Sequence, residues 1–149
     1  MTMKNQNKVV AYITRGTKLL VFDHANFPEV GTQVPAGTIE DGETPTFAVM
    51  REVFEETGLN KLYLRDFLGM QTLVLEKPEG KMLINRHYYH FEVPDDVPDT
   101  WAHYETKPSD GSFDLILFNF RWVDFSKDNI TLAGKQDFFL RLLGNKLKK

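Results

Sequence analysis

The chain has 149 residues, 42% of them apolar and 26% charged, with a net charge of −3. Such a length and composition leave room for one domain, residues 1–149, with a hydrophobic core, and they exclude a disordered chain; the acidic balance excludes a basic surface for extended nucleic acid. The absence of cysteine excludes disulfide frameworks, thiolate metal sites and cysteine nucleophiles together, and neither the polar start MTMKNQNK nor any apolar run offers a signal peptide or a membrane span, so the expected setting is the cytoplasm without a membrane partner.

In chain order, Lys8 to Thr14 and Lys18 to Phe22 are β-rich runs separated by Arg15-Gly16-Thr17, a predicted hairpin. A looser stretch punctuated by Pro28, Gly31 and Pro35 leads to Gly37. The strongest helix signal follows: Thr44 as cap, Pro45 at the first position and Gly58 as the left-handed terminator. Inside it, Phe47, Met50 and Phe54 mark one apolar stripe and Val49 and Val53 another. Leu62 to Leu75 and Met82 to Val93 read as long strands joined across Lys77-Pro78-Glu79-Gly80. Residues 94–112 read as a long Pro- and Asp-rich loop, a candidate lid or substrate loop. Phe113 to Val123 is a further predicted strand, and Leu132 to Leu143 a closing amphipathic helix before a lysine-rich tail. The expected architecture is α/β (α+β), a mixed sheet with a helix on each side.

The chemistry concentrates in GTIEDGETPTFAVMREVFEETGL, Gly37 to Leu59. Glu52, Glu55 and Glu56 are spaced three and four apart, which puts them on one helix face, where like charges repel. Glu55 and Glu56 also sit near the negative end of the helix dipole. Arg51 can relieve Glu55 one turn away, but one arginine cannot neutralise three carboxylates, and Glu40, Asp41 and Glu43 add charge from the preceding loop. A cation resolves the conflict. Oxygen-only ligands suit magnesium, manganese or calcium rather than zinc, and the spacing of an EF-hand is absent. Magnesium is the usual partner of phosphates, and a bound divalent ion lets a carboxylate face accept an anion.

These residues match the pattern G-x5-E-x7-R-E-U-x-E-E-x-G-U, U being aliphatic, at every fixed position: Gly37, Glu43, Arg51, Glu52, Val53, Glu55, Glu56, Gly58 and Leu59. The segment resembles the box of Nudix hydrolases, MutT-like enzymes. The resemblance implies an α/β/α sandwich, and magnesium-dependent hydrolysis (manganese as a possible substitute) of a phosphoanhydride bond in a nucleoside diphosphate derivative or a nucleoside triphosphate, by attack of water on phosphorus. Carried over by position, it implies Glu52, Glu55, Glu56 and the main-chain carbonyl of Ala36 as metal ligands, Arg51 as the residue orienting a glutamate, and Glu43 as support for it. It leaves the general base open between Glu55, Glu52 and a later loop glutamate such as Glu105. MutT-like members place a catalytic glutamate shortly before a strand tryptophan; here Arg121 precedes Trp122, a departure from that pattern.

Outside the box the ordinary readings carry more weight. His24, His87, His90 and His103 are scattered without metal-site spacing. Arg86 could grip a terminal phosphate, although an exposed strand arginine is the commoner explanation. Trp101 and Tyr104, placed in the expected loop, are the candidates for stacking on a nucleobase. The expected partner is a small nucleotide, and the expected state a monomer or homodimer. Pro35-Ala36-Gly37 is shared with ADP-sugar pyrophosphatases, which makes an ADP-ribose or ADP-sugar pyrophosphatase the enzymatic alternative. A nucleotide-sensing domain without catalysis is the alternative of another class, and the complete set of box glutamates argues against it.

Overall fold

A computed structural model describes residues 4–105, 116–127 and 130–148. The first strand, β1 (Lys4–Arg15), lies inside the sheet and is buried from Val9 to Thr14. A strand covered on both faces needs a continuous rather than an alternating apolar run. Its alternation still sorts the two sides: Val9, Ala11 and Ile13 enter one core, Val10 and Tyr12 the other. The predicted hairpin is present, turning through Gly16 (φ 64°) into β2 (Lys18–His24).

A short strand, β3 (Ala36–Thr38), pairs with one edge of β1, Gly37 lying opposite Val9. The helix α1 (Pro45–Thr57) follows. Thr44 Oγ1 accepts from Phe47 N at 3.2 Å, Pro45 occupies the first turn, and Gly58 closes the helix at φ 80°, as the sequence predicts. Only one of its two apolar stripes is buried. Ala48, Val49 and Val53 enter the core with Val9, Ala11 and Ile13, whereas Phe47, Met50 and Phe54 are exposed.

The two long strands are β4 (Tyr63–Lys77) and β5 (Gly80–Glu92), an antiparallel pair; β5 in turn lies parallel to β1. The expected loop of residues 94–112 is corrected in its middle. Thr100–Glu105 is a strand, β6, paired antiparallel with β7 (Ile116–Asp124). Trp101, His103 and Glu105 alternate there with Ala102 and Tyr104, a period of two masked in the sequence by the Pro- and Asp-rich run before it. Residues 106–112 of that loop, and 113–115 of the expected last strand, lie outside the described residues. Among the described residues the sheet has seven strands, in the order β4-β5-β1-β2-β7-β6 with β3 beside β1.

The closing helix is also corrected. Instead of Leu132 to Leu143 there is a 3-10 turn at Ala133–Lys135, then α2 (Leu140–Leu147). Gly134 and Lys135 both take positive φ, 60° and 62°, which an α-helix cannot pass through. Tertiary hydrogen bonds hold that break in place. Tyr12 Oη donates to Gln136 O and accepts from Phe139 N, while Gln136 Oε1 accepts from Val34 N at 2.9 Å. The helix then buries Leu143 with Val10, Tyr12 and Tyr88, on the face of the sheet opposite α1. One helix on each side of a mixed sheet is therefore the observed architecture. No helix among the described residues is long and apolar enough to cross a membrane.

Candidate active site

The glutamates of α1 face inward. Glu52 is 6% exposed, Glu55 8% and Glu56 4%, although burying a carboxylate without compensation is costly. Space for Glu52 is made by Gly37: a Cβ built on that glycine would stand 2.0 Å from the Glu52 carboxyl carbon. The requirement at this box glycine is therefore steric. At Gly58 two requirements meet, since its φ of 80° is left-handed and a Cβ there would approach the His103 ring to 3.1 Å.

Arg51 holds the rim of the cluster. Its Nε donates to Glu43 Oε2 at 2.5 Å and its Nη2 to Glu43 Oε1 at 2.9 Å, a bidentate clamp. The same guanidinium donates through Nη1 to Glu52 Oε1 at 2.9 Å and Glu55 Oε2 at 3.2 Å, and through Nη2 to the Thr38 carbonyl at 3.1 Å. Glu43 also accepts from the Glu40 amide at 2.8 Å. The hydrogen-bonded Arg51 holds the Glu43 carboxyl below the usual carboxylate range. One arginine thus ties the loop before α1 to the helix: its contact with Glu55 follows from their spacing, and its contact with Glu43 is the support that the resemblance implied.

A third element completes the cluster. Carboxylate oxygens of Glu52, Glu56 and Glu105 lie within 4.8 Å of one another, and all three residues are buried. Glu105 comes from β6, and two neighbours on the same face of that strand fasten it to α1. Trp101 Nε1 donates to the Thr57 carbonyl at 3.0 Å, and a His103 ring nitrogen lies 3.2 Å from the Glu55 carbonyl. Both carbonyls belong to the last turn of α1, where helix geometry leaves them without an intrahelical partner. Reading His103 as a scattered histidine missed this; the alternation Trp101, His103, Glu105 was the available signal.

Burial pushes the Glu56 carboxyl well above its ordinary range, and the nearby charges of Glu52 and Glu105 push it further; the Ala36 amide, donating at 3.1 Å, opposes them. Glu52 is also raised by burial, with Arg51 acting against the shift. The pair is short of positive charge in a dry setting, where carboxylates either stay protonated or take a cation. An all-oxygen donor set of three carboxylates, with a glycine clearing space beside one of them, fits a hard divalent cation.

The remaining sequence candidates are distributed as follows. Glu55 borders the three-oxygen cluster and is held by Arg51. Ala36 lies beside the cluster, with its amide on Glu56. Trp101 is half-buried and stacked on Phe120 at 5.0 Å with an interplanar angle of 14°, so a ring of the protein already covers one of its faces. Tyr104 points to the other side of β6 and is 51% exposed. Arg86 lies on the α2 side of the sheet, where Nη1 donates to the Gly134 carbonyl at 2.5 Å and lies 3.5 Å from Gln71 Oε1. The structure does not bring Tyr104 or Arg86 to the carboxylates.

Known structures share this fold. The MutT protein from Methanosarcina mazei Go1 is similar over 100% of this chain and 99% of its own, with 20% identity and a TM-score of 0.62. A NUDIX hydrolase from Nitrosomonas europaea is similar over 95% and 91%, with 19% identity and a TM-score of 0.62. The Ap4A hydrolase of C. elegans is similar over 95% and 96%, with 19% identity and a TM-score of 0.56. At such identities the likeness is one of fold. No curated protein matches the sequence. The NUDIX domain family matches residues 4–134, nearly the whole chain. Complete box, inward carboxylates and family match agree: the chain belongs to the Nudix hydrolase family.

Proposed function

We propose that the protein hydrolyses a phosphoanhydride bond of a small nucleotide, a nucleoside diphosphate derivative or a nucleoside triphosphate, with magnesium as its cation and manganese as a substitute. The observation that carries this reading is the buried convergence of Glu52, Glu56 and Glu105 within 4.8 Å. These three would hold the cation, with the Ala36 carbonyl as the main-chain ligand expected from the box. Bound there, a divalent cation neutralises phosphate charge and lowers the pKa of water.

The chain's own groups do the rest. Arg51 keeps Glu52 and Glu55 oriented, and Glu43 keeps Arg51 in place. Glu55, held at 3.2 Å by Arg51 beside the three-oxygen cluster, is the carboxylate left to take the proton from the attacking water. A P–O bond forms to that water as the anhydride P–O bond breaks, and the leaving phosphate departs with the electron pair. Glu105, open as a base from the sequence, is assigned to the cation because its oxygen lies with those of Glu52 and Glu56.

A screen of nucleotides with magnesium, reading released phosphate or pyrophosphate, tests the proposal. Dinucleoside polyphosphates belong in it, since one of the similar structures is an Ap4A hydrolase, as does ADP-ribose. Turnover should vanish in excess chelator and return with magnesium or manganese. Full turnover in chelator would remove the central claim. Glu105→Gln should weaken cation affinity, whereas Glu55→Gln should keep it and lose kcat; the reverse pattern would exchange the two roles.

A further inference from the structure

Of the two stacking candidates from the sequence, Trp101 has one face covered by Phe120, and Tyr104 lies on the face of β6 opposite Glu105. A different surface has the required position. In the register of the sheet, Gly37, Val9, His87 and Met70 form one row across β3, β1, β5 and β4. Directly paired residues share a face of the sheet. Val9 belongs to the core beneath α1, so the row faces the side that carries the Glu52 carboxylate, which lies against Gly37. His87 is therefore two strand spacings, about 10 Å, from the cluster, in line with it.

The surface at that end of the row is aromatic and open. Phe67 and Met70 are each 51% exposed, so each leaves about half of its apolar surface in water. Phe67 rests on Tyr89 at 5.2 Å and lies 6.4 Å from the His87 ring at an interplanar angle of 34°. The next row carries amides: Asn85 pairs with Asn7 and donates to its Oδ1 at 3.3 Å. Burial lowers the His87 pKa and favours a neutral imidazole, which offers one donor and one acceptor. Exposed Phe67 and half-buried His87, bordered by amides and lying two strand spacings from the carboxylate cluster on the same side of the sheet, match a planar heterocycle carried on phosphates: the rings meet its face, and the amides meet its edge.

Resting on the hydrolase reading above, we propose that Phe67, Met70 and His87, edged by Asn85 and Asn7, form the seat of the substrate's nucleobase, with the phosphates directed toward Glu52 and Glu56.

The full chain tests this in two ways. Titration with AMP, GMP, CMP and UMP, with ribose 5-phosphate as the baseless control, should shift the His87 ring resonances saturably for at least one nucleotide and not for the control. Phe67→Leu keeps apolar volume but loses the ring. It should raise KM about tenfold for the nucleotide the enzyme turns over, a usual loss for one stacked base, with kcat and Mn2+ affinity near wild type. Phe67→Tyr should restore KM. His87 resonances that no nucleotide moves, or an unchanged KM in Phe67→Leu, would overturn the seat. If the wild type cleaves no phosphoanhydride at all, the hydrolase reading fails by itself. The His87 titration still decides whether a base binds here.

Discussion

The two helices cover opposite faces of one sheet and treat their side chains in opposite ways. α2 follows the ordinary rule: Leu143 is buried, Leu140 and Leu147 pack beside it, and Lys146 reaches out to Asp66 at 2.5 Å. α1 buries Val49 and Val53 but also Glu52, Glu55 and Glu56, and it exposes Phe47, Met50 and Phe54. A helix selected only for packing would not pull three carboxylates under cover and leave two phenylalanines in water. The difference teaches that α2 is there to hold the sheet together, and α1 to present charge in a dry place at some cost in stability.

Catalysis is the first place to break the comparison. Gly37→Ala would push a methyl group into the Glu52 carboxyl, and a displacement of that size in a catalytic constellation costs about a hundredfold or more in rate. Assays under saturating magnesium would check it, and an unchanged kcat would mean that the observed Glu52 position is not the working one. Glu56→Gln should also cut kcat by orders of magnitude.

Stability should separate the helices next. Leu143→Ala in α2 should cost about 2–5 kcal/mol, the usual range for a fully buried leucine. Phe54→Ala, at 56% exposure on α1, should stay within about 0.5 kcal/mol of wild type. Denaturant titrations of both variants suffice, and equal losses would erase the contrast. Glu56→Gln offers a finer version. In chelator it should melt with wild type or slightly above it, because burial and the charges of Glu52 and Glu105 already disfavour the ionised Glu56 carboxylate, a cost the neutral amide does not carry. With magnesium the wild type should gain more, since a ligand that binds only the folded state stabilises it. A variant melting several degrees lower in chelator would make Glu56 structural.

The smallest effect concerns pH on the α2 side. Burial lowers the His90 pKa; Glu92 and Asp66 act against the shift, while Arg65 and Lys146 add to it. Thr14 Oγ1 lies 2.7 Å from its Nε2. Since the folded value is below the unfolded one, about 6.5, the unfolded chain takes the proton first. His90 therefore contributes its full share above that pH and loses it as pH falls. Melting of wild type against His90→Gln should show the gap between them narrowing by a few degrees below about pH 6. A constant gap would show that the residue stays neutral throughout.

Sequence alone determined the parts whose signals are local. Caps, proline and glycine set the ends of α1, because a helix terminus is decided by the few residues that satisfy its last backbone groups. Spacing put Glu52, Glu55 and Glu56 on one face, since 3.6 residues per turn is a property of the backbone. Tertiary structure decided what depends on distant partners. The closing helix starts late because Tyr12 and Val34, from the other end of the chain, claim the polar groups of Gln136. Trp101 stopped being a loop residue when the Thr57 carbonyl and the Phe120 ring claimed it. Glu105 reached Glu56 through the pairing of β6 with β7 and the clasp of β6 on α1, although the two positions are 49 apart in sequence. Which glutamates converge is a matter of strand register and burial, and register is set by the whole sheet, so no window of sequence contains it.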